Sequence, residues 1–584
     1  MIEQILESIG IIRVQENTVP ETSESFKLPI TYIGKDNLFE LKSHVAADLE
    51  LETTMYPILL NGTKGFTAEL VPRMHRYYTT DTEYLNDTKK LLSGGLAIGA
   101  ESDHLILREV YNALYKDPRF IEKHNYMEWT VLEYMNHSTM YLQIIAAVQL
   151  LSPALSLMMP FFFLVMPIIL LLISGVPFTL ASYIAFLKNV ARNHFIGKMM
   201  SSKSTGYMIT MMCLYLFQIY QNCISCRRFY TMFHSTNDRL CKLRKFIEYI
   251  LAKMDIVTKQ ISQLPSYQGF LGDLLKHRDR LKEILDSLLV LISPMEWFVT
   301  KLPSIGNILY INYTIHNTPE YAESIDYAFG FEGWCGCIAG ISQQLSEGKL
   351  GSAHILGESD LPKEETVNSL FVEEFYPTLM DAPDCIKNDC SLTDNMIVTG
   401  INASGKTTYL KTTLLNIVFT QQWGCGFYKT GALQPYHQIH SYLNIPDTSA
   451  RDSLFQAESR RCKDILDSIS ECGDKTRHFC IFDELYSGTN PDEASKSAYG
   501  FLRYLAKREN VRFMLTTHYL GVCKRLQEEE CKGVRYLQME VESNEGSDDY
   551  LYTHRLGEGI CEVQGGIQVL RKMGYPTELL EYIS

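Results

Sequence analysis

Two hydrophobic patterns stand out along the chain. Near the carboxy terminus, short apolar and β-branched runs occupy Asn395–Thr399, His478–Phe482 and Arg512–His518. Continuous apolar runs of this length are typical of strands that are buried on both faces. Between Tyr134 and Leu187, by contrast, the chain contains no Asp, Glu, Lys or Arg. The first pattern predicts an α/β domain, and the second predicts an unusually apolar helical region before it.

The charge-free run Tyr134–Leu187 is long enough for two membrane passes, since a transmembrane helix needs about 20 apolar residues. Prolines such as Pro153 are expected to mark kinks or turns. A helix on a soluble core carries polar and charged residues at the helical period, and no charge appears here. We therefore predict a transmembrane helical hairpin, with a buried helical core as the alternative. Lys188 and Arg192 follow the run closely, which indicates a cytosolic exit.

The rest of the amino-terminal half is less distinctive. In residues 1–130, the apolar segments Pro29–Ile33 and Tyr56–Leu60 predict short strands. Tyr207–Tyr220 is a weaker apolar run with Tyr, Thr and Gln, and we interpret it as a core helix. Amphipathic helices are expected next, and Ile325–Leu345 is expected to form the last helix before the α/β domain.

These patterns predict a multidomain chain. Residues 1–130 form a mixed region of unknown role, residues 131–205 the transmembrane hairpin and residues 206–350 a helical core or lever region. Residues 351–584 form the α/β domain with a mixed sheet and a helical segment at its end.

A phosphate-binding motif lies between a predicted strand and a predicted helix. The sequence GINASGKT, starting at Gly400, fits G-x-x-x-x-G-K-[ST]. Gly400 and Gly405 allow the backbone to turn so that its N–H groups face phosphate oxygens. The helix predicted at Thr408–Thr420 adds a favourable field for an anion at its amino terminus. Lys406 is expected to contact the phosphates, and the Thr407 hydroxyl is expected to bind Mg²⁺.

A carboxylate pair ends a second predicted strand. Asp483 is expected to hold Mg²⁺ through its water shell, and Glu484 to polarise the attacking water. Two carboxylates at a buried strand end are costly unless a metal neutralises them, which favours a functional role. His518 ends a third strand and is a candidate γ-phosphate sensor. The residues therefore predict a nucleotide hydrolase.

In order and type, these motifs resemble the MutS family of mismatch-repair ATPases, which are ABC-class enzymes. The family reads T-G-P-N-M-x-G-K-S-T where this chain has Thr399–Thr408, and D-E-[ILV]-G-R-G-T where it has Asp483–Thr489. Thr517–Tyr519 matches the family's T-H-Y, and Ser453–Glu458 is similar to S-T-F-x-x-E. The segment Gly565–Tyr582 is similar to the family's closing helical segment. The resemblance covers about residues 370–584.

The resemblance implies ATP and Mg²⁺ as ligands. It implies Glu484 and His518 as catalytic residues, and Thr407 and Asp483 as the metal-binding residues. Ser453 would act in trans on ATP held by a second subunit, which implies a homodimer or heterodimer formed through the ATPase domain. The residues expected to bind the nucleotide are Gly400, Asn402, Ser404, Gly405, Lys406, Thr407, Thr408 and Ser453.

The chain also departs from the family pattern. Ile401 replaces a Pro, Ser487 replaces an Arg, and residues 385–389 lack the aromatic that usually stacks on adenine. No domain that reads mismatches is recognisable in the amino-terminal region. The formal net charge of −14 and the pI of about 5.6 give no overall basic signature for nucleic acid.

Three functions remain open from the sequence. The first is an ATP-driven dimeric clamp of the DNA mismatch-repair type, which binds DNA. The second is a membrane-anchored ATPase, multi-pass with a cytosolic ATPase domain, that acts on a membrane or protein partner without reading mismatches. The third is a relative that binds ATP as a structural switch, which the intact Lys406, Asp483 and Glu484 disfavour. If Tyr134–Leu187 is a buried core, a location in the cytoplasm or nucleus is expected instead.

Overall fold

The computed structural model describes most of the chain. The described residues are 25–95, 103–173, 179–181, 183–185, 205–289, 304–357, 369–443, 445, 454–529, 531, 533–543, 550–563, 570, 573–576, 578, 579 and 582.

The chain divides into two compact units, each built from separate stretches of sequence. The described part of the first unit lies within Ser102–Ala252 and His277–Asp326, and the second unit is formed by Ser25–Glu101, Lys253–Lys276 and Tyr327–Ser584. The four segments predicted from the sequence remain a prediction, since this division follows other boundaries.

The described helices, in chain order, are α1 Ser43–Asp48, α2 Tyr56–Leu59, α3 Gly65–Met74, α4 Thr82–Gly94, α5 His104–Tyr115, α6 Phe120–Lys123, α7 Thr139–Ile173, α8 Thr205–Ile261, α9 Gln268–Leu288, α10 Ile305–Asn317, α11 Pro319–Ser346, α12 Lys406–Trp423, α13 Leu454–Glu471, α14 Pro491–Ala506 and α15 Leu520–Glu528. The described strands are β1 Leu38–Glu40, β2 Tyr77–Thr79, β3 Gly351–Ile355, β4 Leu370–Glu374, β5 Asn388–Ser391, β6 Asn395–Thr399, β7 Cys425–Gly426, β8 Thr430–Leu433, β9 Gln438–Tyr442, β10 His478–Asp483, β11 Val511–Thr516, β12 Val534–Ser543 and β13 Tyr550–Glu558.

A six-stranded sheet lies at the centre of the second unit, in the order β13-β12-β6-β11-β10-β9. The strands from β12 to β9 run parallel, and β13 pairs antiparallel with β12 at the edge. β6, β10 and β11 are buried along nearly their whole length, which explains their continuous apolar sequences. The three strands predicted from the sequence and the mixed character of the sheet are therefore confirmed.

Helix α12 follows β6 and is buried on nearly all sides, so it contains no amphipathic stripe. Two of its buried polar side chains bond to neighbouring segments: Thr413 Oγ1 donates to Glu374 at 2.6 Å, and Asn416 Oδ1 accepts from the Phe427 N–H at 2.8 Å. A five-stranded sheet, in the order β5-β4-β8-β3-β7, contacts this helix through β4 and β7. The helix predicted at Thr408–Thr420 is confirmed.

The region before residue 96 packs on this same unit. Tyr56 Oη donates to Gln422 Oε1 at 2.7 Å, and Gln421 Nε2 donates to the Thr79 carbonyl at 3.2 Å. The strands predicted at Pro29–Ile33 and Tyr56–Leu60 are wrong: the first is a 3₁₀ helix and the second is α2. Each has a proline in its first turn, where the missing N–H costs nothing and the fixed φ suits a helix.

The first unit contains the charge-free region. α7 runs without a break through Pro153, so the turn expected there does not form. Among the described residues, the part Thr139–Met159 has a mean hydropathy of 1.7 and is long and apolar enough to cross a membrane, judged by length and composition. The helix predicted at Tyr207–Tyr220 is confirmed within α8, but its expected place in the core is wrong, because most of its described apolar side chains are exposed. The helix predicted at Ile325–Leu345 is confirmed within α11.

Candidate active site

The candidate site lies where three neighbouring parallel strands end. β11 lies between β6 and β10, with Thr516 paired to both Val398 and Asp483. Because the carboxyl ends of parallel strands share one edge of the sheet, the segments after these strands meet there. This arrangement brings together the loop that starts at Gly400, the pair Asp483–Glu484 and His518.

The loop between β6 and α12 has a backbone that few residues adopt. Ala403 has a φ of 62° and Gly405 a φ of 101°. A Cβ at Gly400 would lie 2.9 Å from Ser404 Oγ, and one at Gly405 would lie 3.2 Å from His554 Nδ1. A side chain at Gly400 would thus crowd Ser404, and one at Gly405 would be strained by the left-handed conformation as well as close to His554.

Lys406, the first residue of α12, is buried and folds back over the loop. Its Nζ donates to the carbonyl oxygens of Gly400 and Ile401, both at 3.0 Å. Burial lowers the pKa of Lys406, while the nearby carboxylates of Glu484 and Asp483 act in the opposite direction. The Lys406 ammonium is thus hydrogen-bonded to two neutral carbonyl oxygens of the loop and lies near the carboxylates of Asp483 and Glu484.

Thr407 and Asp483 form the candidate cation site. Thr407 Oγ1 donates to Asp483 Oδ2 at 3.0 Å, and Thr516 Oγ1 donates to the other carboxylate oxygen. Mg²⁺ is usually bound by one or two protein oxygens together with substrate phosphates and water. One hydroxyl and one carboxylate in contact, directly beside the loop, match that donor set.

Glu484 and His518 face each other across the end of the sheet. His518 Nε2 lies 3.1 Å from Glu484 Oε1, and both side chains are partly exposed. The hydrogen bond with His518 lowers the pKa of Glu484, against a raising effect of burial. Glu484 has a φ of 50°, and its N–H donates to the Thr516 carbonyl at 3.1 Å. A carboxylate held ionised at a strained position suits the polarisation of a water molecule.

A pocket of about 620 Å³ opens beside the loop, large enough for a nucleotide. Asn402, Thr407 and Thr408 line it, as do Lys406 and Glu484. Within the described residues, the buried Ser404 Oγ has no hydrogen-bond partner. A buried hydroxyl without a partner is costly, so an acceptor such as a phosphate oxygen would satisfy it. The loop therefore fits a phosphate group.

His554 also lines this pocket, although no motif in the sequence indicates it. Its Nδ1–H donates to the Ser404 carbonyl at 2.8 Å, and its own carbonyl accepts from Asn388 Nδ2 at 3.1 Å. Phe375 and Tyr376 line the pocket as well. These residues supply the aromatic rings that residues 385–389 lack. A single His in an edge strand carries no signal that would have identified it.

The signature similar to S-T-F-x-x-E is only partly described. Ser453, predicted to act in trans, lies outside the described residues, as does most of the closing segment after residue 563. Glu458 is buried on α13, where its carboxylate accepts from Ser487 Oγ at 2.9 Å and from the Gly488 N–H at 3.2 Å. The signature is thereby joined to the loop that follows Glu484.

A second carboxylate with an altered pKa lies at the back of the pocket. Burial raises the pKa of Glu374 to about 8, although donors from Thr413 and Asn416 act in the opposite direction. The Asn416 amide donates to Glu374 Oε2 at 3.2 Å. Glu374 is therefore mostly neutral at pH 7, and it adds no charge to the wall of a site that would hold polyphosphate.

Comparison with known proteins identifies the domain that holds this site. Residues 396–583 match the family MutS domain V. The DNA mismatch repair protein MutS of Staphylococcus saprophyticus is 25% identical over 209 residues, which is 35% of this chain and 22% of that protein. The proteins of the same name from Persephonella marina and Caldanaerobacter subterraneus are 24% and 28% identical, over 36% and 32% of this chain.

The match covers 24% of the Persephonella protein and 20% of the Caldanaerobacter protein, so the chain spans about a quarter or less of these relatives. The amino-terminal region is outside the match. Residues 396–583 therefore match MutS domain V, and the resemblance to the MutS family is confirmed for this carboxy-terminal region.

Proposed function

We propose that this chain binds ATP with Mg²⁺ and hydrolyses it at the site between β6 and α12. The observation that carries the proposal is the convergence of three groups at one edge of the sheet. These are the lysine on the loop, the Thr407–Asp483 pair and the Glu484–His518 pair. A phosphate loop, a metal carboxylate and a water-polarising carboxylate are the parts that phosphoryl transfer to water requires.

Each residue has a role that follows from its position. Lys406 would exchange the carbonyls of Gly400 and Ile401 for phosphate oxygens, which are stronger acceptors. Thr407 and Asp483 would hold Mg²⁺, which neutralises charge on the phosphates when bound. Glu484 would orient a water for in-line attack and accept its proton. His518, 3.1 Å from Glu484, would register whether the γ-phosphate is present.

We further propose that the ATPase works as a homodimer or heterodimer and handles DNA. Support comes from the relatives, which are named DNA mismatch repair proteins. It also comes from Glu458, the last residue of the segment similar to S-T-F-x-x-E, which is hydrogen-bonded to Ser487 and Gly488 in the loop after Glu484. ATP binding would close the dimer, and hydrolysis would release it. The net charge of −14 means that any DNA contact depends on local basic surfaces.

The test is the variant Glu484→Gln. It keeps the shape of the side chain and removes the carboxylate that would accept the proton, so we expect turnover to fall by at least about 100-fold. Nucleotide binding should be retained, and ATP should shift the variant to a dimer. Lys406→Ala is the comparison, with nucleotide binding lost. The measurements are steady-state phosphate release, binding of a fluorescent ATP analogue, and light scattering with and without ATP.

Wild-type turnover in Glu484→Gln would exclude that residue as the base. Nucleotide binding by Lys406→Ala with unchanged affinity would contradict the assignment of the loop. DNA handling is tested separately, by the stimulation of phosphate release with duplex DNA across a range of salt concentrations.

A second candidate function is a membrane-anchored ATPase, multi-pass with its ATPase domain in the cytosol. The observation that favours it is the exposure of apolar side chains along α7, within the predicted membrane segment Tyr134–Leu187. Large exposed apolar surfaces on proteins mark contact with a membrane or another protein. Under this alternative, the ATPase acts on a membrane or protein partner and does not read mismatches.

A further inference from the structure

In the first unit, α7 and the beginning of α8 pack side by side in opposite directions. Tyr215 Oη donates to the Ser156 carbonyl at 2.8 Å, and Asn222 Nδ2 donates to Ser156 Oγ. Further along, Cys226 Sγ lies 3.5 Å from the Leu150 carbonyl. Residues later in α8 thus contact residues earlier in α7, as in a helical hairpin whose helices are tied by polar groups.

The exposure of α8 changes abruptly along its length. Every residue from Met212 to Gln218 is exposed, and successive residues of a helix point about 100° apart. Seven in succession therefore cover the whole circumference. From Phe229 onward, buried residues return at helical spacing, with Phe233 and Leu240 fully buried.

The same change occurs on α7. Leu142 and Ala146 are buried, whereas none of the residues of α7 described after Ala146 is buried. The exposed large apolar side chains beyond that level are Val148, Leu151, Leu155, Leu157, Met158, Met159, Phe162, Val165, Ile169, Leu172 and Ile173. Both helices therefore change from partly buried to exposed at the same height along the hairpin. The contact between Cys226 and Leu150 lies at this boundary.

The positions of charged residues and the lengths of the two helical stretches agree with this boundary. α8 contains no Asp, Glu, Lys or Arg from Thr205 to Cys226, and the first charges are Arg227 and Arg228. At 1.5 Å per residue this stretch is roughly 33 Å long, and α7 from Leu150 to its end is roughly 36 Å long. Both lengths match a hydrocarbon core of about 30 Å.

At the boundary the surface becomes polar. A pocket of about 540 Å³ is lined by Gln149 from α7 and Arg228 from α8, together with Arg119, Lys123 and Glu122. Charged side chains at this level would lie among lipid headgroups, where they are favourable.

We propose that α7 from Leu150 onward and α8 up to Cys226 are the two membrane-spanning segments of one hairpin, with lipid acyl chains as the occupant of their exposed surface. This inference rests on the second candidate function, the membrane-anchored ATPase, and it is independent of ATP hydrolysis. It replaces the expectation of two passes within Tyr134–Leu187. A second copy of the chain would cover one stripe of each helix, whereas acyl chains cover the whole circumference.

The proposed topology has a consequence for charge. Lys188 and Arg192 lie between the two proposed spans in sequence. The cytosolic exit that these residues indicate would then not hold, because only one span would separate them from Arg227 and Arg228.

Native cysteines provide the first test. Cys213 is exposed within the proposed span of α8, and Cys472 is exposed at the end of α13, outside it. In membranes containing the full-length protein, a polar maleimide should modify Cys472 and leave Cys213 unmodified, as read by peptide mass spectrometry. After solubilisation and denaturation, both should react. Equal modification of the two cysteines in intact membranes would overturn the proposal.

The second test identifies what covers the helices. Phe217→Trp places a tryptophan in the proposed span, and Ile256→Trp places one on the same helix beyond the boundary, at a site that is also exposed. In vesicles with brominated acyl chains, we expect at least about twofold quenching of the added emission at 217 and none at 256. The unsubstituted protein corrects for the four native tryptophans.

An absence of quenching at both positions would overturn the proposal. Release of the protein from membranes by alkaline carbonate as a soluble dimer would also overturn it, because a second copy of the chain would then cover the exposed surface. The variant Lys406→Ala should remain in the membrane pellet. Membrane retention therefore tests this inference, whereas nucleotide binding and phosphate release test the ATPase proposal, so the two can fail independently.

Discussion

His554 contributes a ring to a pocket wall that is otherwise formed mainly by residues 374–388, the loop and the beginning of α12. Because the ring is flat and partly buried, we expect it to stack on the nucleotide base, a contact that contributes about 1–3 kcal/mol in comparable base contacts. His554→Ala should weaken ATP binding by about 10-fold, measured with a fluorescent analogue. Leu551→Ala, an exposed position on the same strand, is the matched control. Equal affinities for the two variants would show that the ring does not contact nucleotide.

Glu374 makes the stability of the domain depend on pH. Its pKa rises from 4.5 to about 8 on folding, so between these values the folded chain binds a proton that the unfolded chain does not. Stability should therefore fall as pH rises through this window, by up to about 1.4 kcal/mol per pH unit. Glu374→Gln mimics the protonated acid and should remove this contribution, as shown by urea unfolding at about pH 6 and about pH 8.5.

Glu373→Gln is the control for that measurement. Glu373 is the next residue on β4, but it faces solvent, and its hydrogen bond with Lys429 lowers its pKa. Its replacement should not flatten the pH dependence between about pH 6 and about pH 8.5, since both states are ionised there. Identical effects of the two substitutions would show that burial of Glu374 is not the cause.

At this scale, the residues that the sequence could predict are those contiguous with a strand. Asp483 and Glu484 come at the end of an apolar run, and Lys406 belongs to a loop motif that begins directly after one, so their chemistry and position can be inferred together. His554 and Glu374 could not be predicted in this way. Their environment depends on pairing between distant segments, as when His554 contacts the Ser404 carbonyl at 2.8 Å.

Four glycines on α11 allow another segment to approach its backbone closely. A Cβ at Gly340 would lie 2.0 Å from the Leu60 carbonyl oxygen, and one at Gly333 would lie 2.4 Å from that of Phe66. Gly330 and Gly336 are equally close to neighbouring side chains. The packing of α2 and α3 on this helix therefore depends on the absence of side chains, because backbone atoms cannot move aside as a flexible side chain can.

Gly340→Ala should destabilise the second unit by about 1–3 kcal/mol, since the added methyl group forces the two segments apart. Thermal unfolding followed by circular dichroism measures the effect. Gly272→Ala is the matched control, because no atom lies within 4 Å of its Cβ position and alanine is the better helix former. That substitution should raise stability by up to about 1 kcal/mol. Equal melting temperatures for the two variants would contradict the role of close approach.

The elements that the sequence predicts well are the long or continuously apolar ones. β6, β10 and most of α11 were predicted because many residues carry the same pattern. The short segments Pro29–Tyr32 and Tyr56–Leu59 were misassigned. In four residues, an apolar strand and an apolar helical turn have the same composition, and only the proline in the first turn distinguishes them.

At the scale of the whole molecule, the sequence predicts consecutive segments, whereas each unit is assembled from separate stretches. Residues 25–95 carry no recognisable chemistry, yet they contact the buried side of α12. Gln422 Nε2 donates to the Tyr77 carbonyl at 2.8 Å and to the Met74 carbonyl at 3.1 Å, while its Oε1 accepts from Tyr56. A pattern of apolar positions cannot predict such a contact, because both partners are polar and lie more than 300 residues apart.

Gln422 therefore joins the amino-terminal region to the helix that follows the phosphate loop. Gln422→Met keeps the volume but leaves two backbone carbonyls and a tyrosine hydroxyl without this partner. We expect a loss of about 1–3 kcal/mol in urea unfolding. Weaker nucleotide binding should accompany it, since α12 begins at Lys406. Gln527→Met, on the exposed side of α15, should stay within about 0.5 kcal/mol of the parent. If Gln422→Met matched that control in both measurements, residues 25–95 would merely cover α12 and would not support the ATP site.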